Sequence, residues 1–144
     1  MKACFALPLY AVSLMAQATC WDEAAYYFNL DPKLLNAIAQ VESGMNPEAI
    51  NVNTNGSYDV GLMQINSTHF ARLRKLGVDE VLLMQDPCVS VLVGASILSQ
   101  MVKTYGYTWE AIGAYNAGTS ESRHGLRMRY AWKVWQRYQR LKGL

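Results

Sequence analysis

Glu42 sits at the end of an apolar stripe. At about 100° per residue, Leu34, Leu35, Ile38 and Val41 fall on one side of a helix, and Glu42 lies between Leu35 and Ile38 on that side. A carboxyl there points where the core points. It also lies in the last turn, at the negative end of the helix macrodipole. Burial and dipole both disfavour the charged form, so a raised pKa is predicted, and a glutamate that keeps its proton near neutral pH can serve as a general acid. The alternative is a glutamate at the edge of the stripe, hydrated or paired with an arginine. Asp59 is the second acid of interest. It belongs to the polar stretch "NPEAINVNTNGSYDVG" (46–61). On a strand, Ser57 and Asp59 share the face opposite Tyr58 and Val60. Asn55-Gly56 reads as a two-residue hairpin turn that returns this strand beside the end of the Glu42 helix. One carboxyl in an apolar setting near another in a polar setting is the pattern of glycosidic-bond cleavage. The alternative for Asp59 is a turn residue bonding its own backbone.

A third segment, "AYNAG" (114–118), places Tyr115 and Asn116 at a helix end before Gly118. A tyrosine ring can pack on a sugar face, and hydroxyl and amide groups can bond sugar hydroxyls and N-acetyl groups. The alternative is a core tyrosine and a helix-ending asparagine. Other chemistries find little support. The two histidines, His69 and His124, have no metal-ligand spacing around them, and no glycine-rich phosphate loop follows a strand. No metal and no cofactor are expected, and no nucleic-acid partner.

Taken together and in order, "ESGMNP" (42–47), "GLMQIN" (61–66) and "AYNAG" (114–118) resemble the soluble lytic transglycosylase family. The similarity runs from about Trp21 to the last helix, and the small single-domain form looks like the specialised transglycosylases of bacterial secretion, pilus and conjugation systems. The resemblance implies a lysozyme-like α+β fold. It implies cleavage of the β-1,4 bond between N-acetylmuramic acid and N-acetylglucosamine in peptidoglycan, leaving a 1,6-anhydro-muramyl end, and an assembly component as a further partner. Glu42 then becomes the single acid/base, with Ser43 beside it in the substrate-binding motif. Gly61, Met63 and Gln64 would line the cleft, Tyr115 and Asn116 would hold Glu42 and the sugar, and Tyr130 matches a further cleft tyrosine. Two departures stand out. Asn51 occupies the position, nine residues after Glu42, where the family often has serine. Asp59 precedes "GLMQ" where the family usually has no acid, and "DVGLMQINS" (59–67) resembles the segment of animal-type lysozymes that carries their catalytic aspartate. Hydrolysis of the same bond by a muramidase, and an inactive peptidoglycan-binding module, therefore stay open as alternatives.

These residues must be positioned by one domain, since 144 residues suffice for one core. With 51% hydrophobic and 17% charged residues, the chain reads as globular. The start, with Lys2, an apolar run from Ala3 to Ala16 and Ala16-Gln17-Ala18, reads as a secretory signal peptide over 1–18, leaving a domain over 19–144 in the periplasm. No second run is read as long enough to span a membrane. Cleavage removes Cys4 and leaves Cys20 and Cys88, which should pair. The expected architecture is mostly α: helices over 21–29 and 32–43, one small hairpin, helical segments after Ser67 and Asp79, a long central helix from Pro87 to about Tyr105, another from Thr108 to about Tyr115, and a last one from near Gly125 to Lys142. That last helix places Tyr130, Val134, Tyr138 and Leu141 on one side. After Glu121 there is no acid, whereas Arg123, Arg127, Arg129, Lys133, Arg137, Arg140 and Lys142 are basic. Such a helix suits an acidic partner or an anionic surface, or is a solvated face. The protein is expected to be a monomer.

Overall fold

Residues 20–144 are described in a computed structural model of the chain. The expected signal peptide, 1–18, lies outside the described residues. The elements run α1 (20–28), α2 (Pro32–Ser43), β1 (Ile50–Val52), β2 (Tyr58–Val60), β3 (Ile65–Asn66), α3 (Phe70–Lys75), α4 (Glu80–Gln85), α5 (Pro87–Tyr105), α6 (Trp109–Ala117) and α7 (His124–Lys142). Short 3-10 turns, Ser67–His69 and Glu121–Arg123, lead into α3 and α7. The architecture is the expected α+β arrangement, mostly α.

The helix limits follow from capping chemistry. The Asp31 carboxylate accepts the Lys33 N–H at 2.8 Å with Pro32 at the first helical position, and Gly44, at φ +60°, closes α2. Asp86 and Pro87 start α5 in the same way, with Asp86 Oδ1 accepting from the N–H of Cys88 at 3.0 Å. Such a cap is worth about 1 kcal/mol. Asp31 also accepts from the Tyr138 hydroxyl at 2.6 Å, which ties the start of α2 to α7.

The core lies among α2, α5, α6 and α7. It takes Leu34, Leu35 and Ile38 from α2, Val91, Ile97 and Leu98 from α5, and Tyr130 and Val134 from α7. By length and composition α5 is apolar enough to cross a membrane, which the sequence reading did not foresee. The reason for its apolarity is internal: Ser90, Val91, Val93, Gly94, Ala95, Ile97 and Leu98 are all buried in the domain. The α6–α7 crossing depends on Gly113, where an added Cβ would stand 2.2 Å from the Arg127 carbonyl oxygen.

The sheet is three-stranded and antiparallel in the order β1-β2-β3. It contains the expected hairpin and one further two-residue strand, too short to show a period of two. The turn also differs from the expected two-residue type, which needs positive φ at its first central residue in either form, I′ or II′. Gly56 has φ +83° but Asn55 does not adopt positive φ. The Asn53 N–H instead bonds Ser57 O at 2.7 Å and the Gly56 N–H bonds Asn53 O at 3.0 Å, giving a three-residue loop. Cys20 and Cys88 form a disulfide with Cα atoms 5.3 Å apart, pinning α1 to the start of α5 across 68 residues of sequence. A loop of that size corresponds to roughly 4 kcal/mol in the chain-entropy account.

Candidate functional site

The site is built around the end of α2. Glu42, partly buried, accepts a hydrogen bond at Oε1 from the Tyr130 hydroxyl of α7 at 2.5 Å. Its pKa is raised from 4.5 to about 7. Burial is the largest cause, and the nearby charge of Asp59 adds to it, whereas the Tyr130 hydrogen bond works the other way. Glu42 is thus a carboxyl that still carries a proton in much of the population near neutral pH, with Asp59 close enough to act on it. Burial and the charge of Glu42 push the Tyr130 and Tyr115 hydroxyls well above their ordinary range, so both remain neutral donors.

Asp59 sits in a different environment. It pairs across the sheet with Asn51 on one side and Asn66 on the other, so the three side chains share a face. Its Oδ1 accepts from the Asn66 amide at 2.8 Å and its Oδ2 from the Asn53 amide at 3.0 Å. The same two amides also reach Ser57 Oγ, at 3.2 and 3.1 Å, and that hydroxyl donates to Asn55 Oδ1 at 2.7 Å. The carboxylate is therefore held as an acceptor at both oxygens. Sequence reasoning missed Asn53 and Asn66. Strand alternation would have put Asn66 beside Asp59 only once β3 was known, and Asn53 lies in the loop whose turn type was misread.

The segment 61–64 is the joint of the site. The Gly61 N–H donates to Ala49 O at 2.8 Å, and the Gln64 N–H closes a turn onto Gly61 O at 3.1 Å. Three helices grip this turn: Ser43 Oγ of α2 donates to Leu62 O at 2.7 Å, Ser90 Oγ of α5 accepts the Met63 N–H at 3.1 Å, and the Tyr115 hydroxyl of α6 donates to Met63 O at 2.7 Å. Gly61, at φ +80°, cannot be replaced without strain, because a Cβ would stand 2.7 Å from Leu83 O. Gln64 is not a glycine yet has φ +52°. Its side chain offsets that cost by donating to Ala49 O at 3.0 Å and Gly61 O at 2.9 Å and accepting from the Asn51 amide at 2.7 Å. Asn51, nine residues after Glu42 where the resembled family often has serine, thus braces Gln64.

Of the residues expected to line a cleft, Gly61, Met63 and Gln64 are buried. The Met63 side chain packs against Gly94, where a Cβ would meet it at 2.8 Å, so what this stretch offers the site is backbone geometry. Tyr115 bonds Met63 O, while Tyr130 bonds Glu42. Asn116 is exposed on the last turn of α6. The loop after it is fastened by arginines that the sequence reading had counted with the basic face. Buried Arg127 donates to Glu110, to Gly118 O at 3.2 Å and to Ser120 O at 2.7 Å, and Arg123 donates to Ala117 O at 2.7 Å. Among the described residues no three His, Cys, Asp or Glu side chains gather as a metal site.

A partly buried acid with a raised pKa near a clamped carboxylate can protonate a leaving oxygen while the carboxylate stabilises positive charge on a sugar ring. Comparison with known proteins agrees with that chemistry, because residues 19–137 match the transglycosylase SLT domain. The chain belongs to that family. It is a peptidoglycan lytic transglycosylase in class. Invasion protein IagB of Salmonella typhimurium is 56% identical over 141 residues, covering 97% of this chain and 88% of IagB. Protein IpgF of Shigella flexneri is 47% identical over 127 residues, covering 88% of this chain and 84% of IpgF. The fold of this transglycosylase is also that of an inactive mutant of lytic transglycosylase Slt from Pseudomonas aeruginosa, at a TM-score of 0.67 and 22% identity over 90% of this chain. This chain spans a quarter of that larger protein, 25% of its length.

Proposed function

We propose that Glu42 is the acid/base of a reaction that breaks the β-1,4 bond between N-acetylmuramic acid and N-acetylglucosamine. The Glu42 proton passes to the glycosidic oxygen as the bond to the muramic C1 breaks. The C6 hydroxyl of the same muramic acid attacks C1 and returns its proton to Glu42, leaving a 1,6-anhydro end and consuming no water. Asp59 stabilises the oxocarbenium-like transition state electrostatically. Tyr130 orients the Glu42 carboxyl, and the turn 61–64 with Tyr115, Ser43 and Gln64 fixes the backbone around the sugar, with Asn116 at its edge. The observation that carries this reading is the raised pKa of Glu42, about 7, in a carboxyl held by one tyrosine. Mass spectrometry of peptidoglycan digests tests it: products one water lighter than hydrolysed muropeptides are expected, and products of full hydrolysed mass would overturn it.

Hydrolysis by the same site is the second reading. Asp59 favours it, because a lysozyme-type mechanism uses, besides the acid, a second carboxylate that acts at the sugar as nucleophile or electrostatic stabiliser before water completes the cleavage. The same mass measurement separates the two. The setting we propose is the periplasm, reached through the signal peptide over 1–18 with the domain beginning at 19. There the enzyme opens the wall locally for a secretion, pilus or conjugation apparatus. The name of the invasion protein at 56% identity supports that setting.

A further inference from the structure

Helix α7 carries two stripes on its outer side that the glycan chemistry does not use. At about 100° per residue, Met128, Trp132 and Trp135 fall within about 60° of one another, and Arg129, Lys133 and Arg140 fall within about 40° on the neighbouring flank. The first stripe is apolar yet open to solvent, with Trp132 57% exposed and Met128 39% exposed. The Trp132 and Trp135 rings stack with centroids 4.8 Å apart and planes 11° from parallel, so they present one preordered surface. With Trp109 of α6 and Ala131 they line a groove of about 250 Å³.

The flank beside the groove is positive and unneutralised. Arg129, Lys133 and Arg140 are exposed and form no ion pair among the described residues. The acid nearest the groove in sequence, Glu110, is already engaged by Arg127 and His124. Stacked tryptophans in a concave site beside arginines are the composition of an interface centre, where a few aromatic and Arg anchors carry most of the binding energy. A second copy of this chain would bring the same cations face to face. A glycan needs several placed hydrogen-bond groups, and among the described residues the side chains lining the groove, Trp109, Met128, Ala131, Trp132 and Trp135, supply strong donors only as indole N–H groups.

We propose that this face docks an acidic amphipathic helix of a protein partner. Two or three of its apolar side chains, at i, i+3 or i+4 and i+7, would enter the groove while its carboxylates line Arg129, Lys133 and Arg140. The proposal deepens the assembly part of the reading above and rests on it only for the setting. Glycan cleavage is measured separately, so a failure of docking leaves the catalytic reading standing, and the reverse holds too.

The test uses the purified full chain and a synthetic peptide with leucines at helical spacing and glutamates between them. A scramble of the same composition, phosphatidylglycerol-containing vesicles and solubilised glycan strands serve as rivals. Binding is followed by tryptophan fluorescence and calorimetry at two salt concentrations. The amphipathic peptide should bind at least tenfold tighter than the scramble. Trp132→Ala should weaken it about tenfold, and the double variant Arg129→Glu, Lys133→Glu should weaken it at low salt and flatten the salt dependence. Circular dichroism and unchanged glycan cleavage should show both variants folded. Equal binding of the scramble would overturn the proposal in favour of a plain polyanion surface. Vesicles or glycan strands binding through Trp132 while the peptide does not, or self-association through this face, would overturn it as well.

Discussion

Glu42 and Asp59 bear the same functional group in opposite surroundings. Glu42 lies at the end of a core-facing helix and, among the described residues, meets one hydrogen-bond partner, the Tyr130 hydroxyl. Asp59 lies on a small sheet and is clamped at both oxygens by the amides of Asn66 and Asn53. The first setting retains a proton. The second offers only donors to the carboxylate. Placing the two together lets one fold supply an acid and a negative charge side by side, and the Asp59 charge itself adds to the raised pKa of Glu42.

The largest break in this contrast is Glu42→Gln. It removes the transferable proton but keeps the size and an oxygen for Tyr130, so cleavage of purified peptidoglycan should fall by about 10³-fold or more while glycan binding persists. Stability gives an independent reading. The folded pKa of about 7 lies above the ordinary 4.5, so the stabilising contribution of the carboxyl is fully present below pH 4.5 and is lost as pH rises through 7. Glu42→Gln should therefore flatten the pH dependence of the melting temperature and melt above wild type at pH 8. The shift corresponds to at most ~3 kcal/mol and to less with solvent access.

Asp59→Asn removes the other half of the contrast. Turnover should fall roughly 10²-fold with little change in melting temperature, as for loss of one transition-state stabiliser. Full activity would reduce Asp59 to a structural residue of the sheet. Asn53→Ala loosens the clamp without touching either acid. A hydrogen bond to a charged group is worth about 1.5–3 kcal/mol at most, so turnover should drop on the order of tenfold with KM little changed. A change in KM alone would instead mark Asn53 as a loop residue.

The smallest effects concern direction. The alkaline limb of activity should lie near pH 7 in the wild type, where Glu42 loses its proton. Tyr130→Phe removes the bond that holds Glu42 down, so the limb should move to higher pH. Asp59→Asn removes the charge that pushes it up, so the limb of its residual activity should move to lower pH. Shifts of the same sign in both variants would contradict the opposed roles.

The sequence made the helices legible because their caps are local. Asp31-Pro32 with Gly44, and Asp86-Pro87 with Gly106, bound α2 and α5 to the residue. A period of 3.6 placed Glu42 on the apolar side of α2 but left open a hydrated or arginine-paired glutamate at the edge of the stripe; the Tyr130 hydroxyl that it meets comes from 88 residues further along the chain. What stayed hidden depends on contacts far apart in the chain. The two residues of β3 carry no period, and the turn at Asn55-Gly56 took a three-residue form from the same dipeptide. Asn53 and Asn66 acquire meaning only when the strands meet around Asp59. Arg127 read as one more surface cation, yet its guanidinium is buried against Glu110 and the loop 118–120, which no local pattern announces. Met63 looked like a cleft residue by motif, whereas its side chain fills the space left by Gly94.

The most direct test of the two-carboxyl account is an NMR titration of the Glu42 side-chain carboxyl, assigned by comparison with Glu42→Gln and repeated in Asp59→Asn. The account expects a midpoint near pH 7 in the wild type that moves down when the Asp59 charge is removed. A midpoint close to the ordinary 4.5, unmoved in Asp59→Asn, would contradict it.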